Sequence, residues 1–177
     1  MDMRYKYLHY KRDFRQNLKL AIPIIAGQLG QVTVYIADNI MVGRLGAISL
    51  AAVAMAVAII AVPTVVGMGI SFALPPLVSE ADGANERSKI SQYFKHSLVI
   101  NTFIGIVACL FIILGLPLLE LLGQVPEVVQ EAKGYMMYSA VGLIPMMLFM
   151  TLRSYCDGMS ETMPPMIAMI VGNIINI

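Results

Sequence analysis

Residues 48–78 run for about 31 positions without one charged side chain, and this segment limits the possible folds more than any other feature of the chain. A helix that is apolar on every face is buried either in the core of a large protein or in a bilayer. At about 1.5 Å per residue the run reaches about 46 Å, close to a bilayer including its headgroups. It therefore reads as one long or tilted membrane span and not two. Pro63, Gly67, Gly69, Pro75 and Pro76 interrupt it. Such residues are tolerated at depth only where neighbouring helices or water satisfy the freed backbone groups, so a packed bundle is expected. Composition agrees: 58% of residues are hydrophobic and 13% charged, against about 45–50% and about 25% in soluble domains.

Further apolar segments flank this run. Residues 20–45 hold Pro23 near their start and Asp38 as the only ionisable group before Arg44, and residues 96–119 carry Asn101, Thr102 and Gly105. Residues 135–152 contain Pro145, and Pro164 and Pro165 suit the opening turn of a fifth helix that is still running at Ile177. Between the third and fourth spans, Pro126 followed by Glu127 and Glu131 predicts a short amphipathic helix at the interface. The expected fold is all-α, a polytopic transmembrane bundle of about five spans, with a basic tail over residues 1–19 and membrane helices over 20–177. Because 166–177 supply only about 18 Å of helix, the expectation is a longer protein cut within its fifth helix. The start is too long and too charged for a signal peptide, so the first span should stay uncleaved. Cys109 and Cys156 read as free thiols.

Charge distribution gives the orientation. Arg4, Lys6, Lys11, Arg12, Arg15 and Lys19 precede the first span, Arg87, Lys89 and Lys95 lie between the second and third, and Arg153 follows the fourth. Only Arg44 and Lys133 fall on the other side. The positive-inside rule puts the N-terminus in the cytoplasm of a multi-pass protein of the cell membrane, with the loop around 120–133 outside. Tyr5, Tyr7 and Tyr10 among the basic residues suit an anchor on anionic lipid and not a nucleic-acid site.

A carboxylate inside an apolar helix costs roughly 2.5 to 3.5 kcal/mol on insertion scales and needs partners or water, which makes Asp38 the leading functional candidate. At about 100° per residue, Gln28, Gln31, Tyr35 and Asp38 fall within about 80° and form one polar stripe that should face a cavity. The plainer alternatives are an Asp38 that snorkels or pairs with Arg44, and glutamines that merely join helices. Asn173 and Asn176, spaced i, i+3, could place amide oxygens beside a carboxylate in a cation site, or could equally be helix-to-helix hydrogen-bonding groups. Met146, Met147 and Met150 suit either an adaptable pocket or ordinary apolar filling. No HExxH or GxxxxGK[ST] motif is present, residues 67–73 (GMGISFA) fit neither the nucleophile-elbow nor the dinucleotide pattern, and neither His9 nor His96 has a second ligand at metal-binding spacing. An enzyme and a resident metal or cofactor are therefore not expected.

Five stretches in order carry a resemblance: AIPIIAGQLGQVTVYIADNIMVGRLGAISLAA, PPLVSEADGAN, GLPLLELLGQVPEVVQEAKGYM, LRSYCDGMSETMPPM and the terminal GNIINI. Together they resemble the multidrug and toxic compound extrusion family of antiporters, of the NorM-like bacterial kind. The resemblance implies twelve helices in two six-helix lobes around a cleft. This chain would then be most of the first lobe, and the second lobe of the same chain would be its missing partner. It also implies that Asp38 binds the coupling sodium ion or proton, that Asn176 belongs to the same site, and that Pro23 is associated with bending of the first helix.

The expected activity is antiport: export of amphiphilic or cationic drugs and toxins in exchange for Na+ or H+, with Gln28, Gln31 and Tyr35 along the substrate cleft. One rival is a flippase for lipid-linked precursors, which would want a cationic cleft, and no membrane-embedded Arg or Lys supplies one. The other is a membrane scaffold in which Asp38 pairs with a partner helix.

Overall fold

The computed structural model describes residues 3–176, and every element among them is helical: α1 (Met3–Gly43), α2 (Ala47–Gly83), α3 (Arg87–Gly115), a 3-10 segment η1 (Leu116–Leu122), α4 (Pro126–Gly158) and α5 (Met163–Asn176). This is the all-α class read from the sequence. The charge-free run 48–78 forms one helix, as its length requires, and Pro63, Pro75 and Pro76 all lie inside it. α1 passes residue 19 without a break and encloses Pro23.

Among the described residues, three helices are long and apolar enough to cross a membrane: α2, α3 continued through η1, and α4. α5 is apolar but short over its described residues.

Four short connections join these elements, and each holds one residue in the left-handed region: Gly46 (φ 119°), Asn85 (φ 58°), Gly123 (φ 65°) and Ser160 (φ 59°). Glycine and asparagine enter that region at little cost, which is how a helix can stop within three residues and reverse. Asn85 is fixed by its own N–H donating to the Asp82 carbonyl at 2.9 Å, and the next N–H, of Glu86, donates to Ala81 at 2.9 Å.

The short interfacial helix expected after Pro126 does not exist as a separate element. Pro126 does open a helix, with Glu127 in its first turn, but that helix continues to Gly158. Ala132 and Lys133 are good helix formers and a single Gly134 costs only about 1 kcal/mol, so nothing stops propagation. Packing also draws this turn inward, since Val128 and Ala132 are buried against Ala52 of α2.

The chain divides into two compact units, Met1–Ala37 with Ser160–Ile177, and Asp38–Met159. In the second, α2, α3 and α4 pack on one another, α2 and α4 most extensively. Their core includes Ala56, Ile112, Met136, Leu143 and Met147. Lipid offers no hydrophobic drive between helices, so close approach depends on small residues. At Gly158 an added Cβ would lie 2.8 Å from Cβ of Val78 and 3.0 Å from the Pro75 carbonyl oxygen, and at Gly105 it would lie 3.2 Å from Cα of Ile144. Met147 is fully buried, with Met146 and Met150 partly buried against the same core, so these methionines act as apolar filling.

Candidate functional site

In the first unit, α1 presents two faces. Pro23 and Gly27 are buried and Gly30 and Val34 half-buried, a spacing of three and four residues that marks the packed face. Gln28, Gln31 and Tyr35 are exposed, and they lie about 100° around the helix from that face. Asp38, exposed, continues their stripe and is the first residue of the second unit. Tyr35 and Asp38 each engage in polar or ring interactions.

The packed face of α1 meets α5. A Cβ added at Gly27 would collide with the Met169 methyl group, and one added at Gly30 would lie 2.9 Å from Nδ2 of Asn173. The two contacts advance together along both helices, so α1 and α5 run in the same direction here. Asn173, half-buried, is thus held against α1. Asn176, the other amide expected in a cation site, is the last residue of α5, and its side chain lies outside the described residues. Of the expected site, then, α1 carries the stripe Gln28, Gln31, Tyr35 and Asp38, and Asn173 stands beside Gly30.

A second polar cluster lies in the core of the other unit, where the sequence marked only a polar residue inside the third span. Asn101 is 0% exposed. Its Nδ2 donates to Oγ of Ser71 on α2 at 3.0 Å and to Oγ1 of Thr151 on α4 at 2.7 Å, and Thr151 in turn donates to the Met147 carbonyl at 3.0 Å. One carboxamide therefore ties three helices together. Asn101 Oδ1 and the hydroxyl of Ser97, one turn earlier on α3, are buried without hydrogen-bond partners. The signal for this node was the amide itself, since a carboxamide in the middle of an apolar helix needs partners on other helices. The identity of those partners depends on how the helices rotate against one another.

Near the far end of α3, Lys133 of α4 donates to Glu120 of η1 at 2.5 Å. This pair, with Gln124, Pro126, Val129 and Gln130, lines an open cavity of about 460 Å³. Glu120 is 69% exposed, so the pair holds the η1–α4 turn together without anchoring it strongly.

An all-helical bundle of membrane-crossing length, with an acidic polar stripe on its first helix and a buried amide node, is the architecture of a polytopic membrane protein. The MatE family profile matches residues 23–177, and the chain belongs to that family. A probable multidrug resistance protein NorM from Idiomarina loihiensis is 30% identical over 171 residues, 94% of this chain and 36% of the relative. The multidrug resistance protein MdtK of Pectobacterium atrosepticum is 30% identical over 169 residues, 95% of this chain and 37% of its own length. An outward-facing multidrug resistance MATE family transporter of the MOP superfamily superposes with a TM-score of 0.84 at 22% identity, over 89% of this chain and 35% of that one. A MOP superfamily transporter from Pyrococcus furiosus superposes with a TM-score of 0.83, also at 22% identity. The chain thus spans little more than a third of the relatives it matches.

Proposed function

We propose that this chain is the first-lobe part of a secondary antiporter that exports amphiphilic, often cationic, compounds in exchange for a sodium ion or proton. The observation that carries this reading is the stripe on α1. Gln28, Gln31, Tyr35 and Asp38 are left outside the packed face of an otherwise apolar helix half. Family membership and relatives named as multidrug resistance proteins support it.

In this reading Asp38 carries the coupling cation with Asn173 and Asn176, and Gln28, Gln31 and Tyr35 line the substrate cleft. Asp38 is charged in one access state and neutralised by a cation or proton in the other, and that difference biases an alternating-access equilibrium. One charge falling through 100 mV releases about 2.3 kcal/mol, and a concentration gradient adds to it. Pro23 takes the place of a bend in α1, since a proline inside a helix frees the carbonyl one turn earlier. The basic residues from Arg4 to Lys19 face the cytoplasm, next to anionic lipid.

The test is accumulation of a cationic fluorescent dye in cells expressing the full-length protein, wild type against Asp38→Asn at matched membrane expression. The expected outcome is lowered accumulation in wild type and restoration to the empty-cell level in the variant. Identical accumulation in wild type, variant and empty cells would sink the reading.

A further inference from the structure

Two buried polar atoms of α3 have no partner among the described residues: Oδ1 of Asn101 and Oγ of Ser97. Thr151 decides which way the carboxamide faces. Its single proton goes to the Met147 carbonyl, so towards Asn101 it can only accept, and the amide nitrogen has to be the atom beside it. Oδ1 is therefore turned away from that hydroxyl. Ser97 and Asn101 stand one turn apart on the same side of α3, with about 5–6 Å between Cβ atoms at this spacing, and they do not bond each other. One is a hydroxyl with a proton to give and the other a carbonyl oxygen that can only accept. Ser97 is 8% exposed and Asn101 0%. Whatever completes them has to fit inside the helical unit, which rules out lipid and any further part of the chain. Ser97 also borders a cavity of about 170 Å³ between α2 and α3, walled by Ile70, Leu74, Tyr93 and His96 among others. That cavity brings a small molecule to the edge of the node.

We propose that Ser97 and Asn101 hold a buried water molecule, which accepts from the Ser97 hydroxyl and donates to Asn101 Oδ1. Water fits because it gives and takes hydrogen bonds, and one donor facing one acceptor is the pair that a bridging water satisfies. A cation fits poorly. The node contains no carboxylate, and the Ser71 and Thr151 oxygens already accept from Asn101. An unscreened charge there would go uncompensated. With the water in place the whole carboxamide is used: Nδ2 ties α3 to α2 and α4, and Oδ1 ties it to the preceding turn of its own helix. This site is separate from the stripe on α1 and does not depend on Asp38 carrying a cation.

The experiment measures the thermal midpoint of the full-length protein in detergent for Ser97→Ala, in the wild-type and in the Asn101→Leu background. With a bound water, Ser97→Ala removes one of its two anchors and is expected to lower the midpoint by about 1–3 °C. In the Asn101→Leu background, where the water has already lost its acceptor, Ser97→Ala is expected to lower nothing. A hydroxyl that is simply bare predicts the opposite sign, because deleting an unpaired buried group stabilises, so a raised midpoint overturns the proposal. An equal loss in both backgrounds also overturns it, since the hydroxyl would then be bonding a group other than the water on Asn101, such as the Tyr93 carbonyl one turn back. A midpoint that rises with sodium in the wild type but not in Ser97→Ala would put a cation in the site and overturn it as well. The second readout needs no variant: a density map of the full-length protein, at a resolution that shows ordered water. A peak within hydrogen-bonding distance of both Ser97 Oγ and Asn101 Oδ1 supports the proposal, and direct contact between those two atoms overturns it.

Discussion

Ser160 holds φ 59° at the turn into α5, a conformation that costs an ordinary L residue about 1 kcal/mol or more. Ser160→Gly is therefore expected to raise the thermal midpoint of the full-length protein in detergent, or at least not lower it, while Ser160→Val lowers it. Asn101 allows a sharper comparison. Asn101→Leu keeps the branching and heavy-atom count of the side chain but strands the Ser71 hydroxyl, and it also removes the already orphaned Oδ1. Interhelical hydrogen bonds in membranes average about 0.6 kcal/mol, so a loss of about 1–2 kcal/mol is expected. Asn101→Ala adds a cavity and should cost more. Equal losses in unfolding titrations of the two variants would show that hydrogen bonding, and not volume, dominates the node. At this scale the sequence was informative about residue type and silent about partners. Asp38 and Asn101 were both conspicuous as polar groups in apolar runs, yet nothing in the spacing tied Asn101 to Ser71 and Thr151, thirty and fifty residues away.

Among the described residues, α2 and α4 form the most extensive contact, and Gly158 is one point where the α2 backbone comes close to α4. A methyl group there meets the Val78 side chain and the Pro75 carbonyl oxygen, and a backbone oxygen cannot swing aside. Gly158→Ala is expected to cost about 1–3 kcal/mol, the usual range for overpacking, measurable as a lowered thermal midpoint. Gly142, whose added Cβ would meet nothing, should accept alanine without loss. Helix existence was readable from hydropathy, because a run such as 48–78 admits no other element. Helix ends were harder. The chain after Pro126 carries the acidic first turn of a surface helix, and only the burial of Val128 and Ala132 shows why it belongs to α4. Likewise Arg153 and Asp157, polar enough to suggest a loop, lie within α4 at 3.9 Å from each other.

For the molecule as a whole, the alternation of basic connections gives a topology that labelling can test. In a full-length protein lacking Cys109 and Cys156, Asn85→Cys is expected to be shielded from a membrane-impermeant maleimide applied outside, and Gln124→Cys to react. The reverse pattern would invert the orientation. The four turns that set this alternation carry a further consequence. The connection between α2 and α3 spans residues 84–86, which fully extended reach about 10 Å, a third of the hydrocarbon thickness. The end of α2 and the start of α3 are thus held at one face of the layer, and the two helices fold back on each other as one hairpin in which α3 can help satisfy the carbonyls that the prolines of α2 leave free.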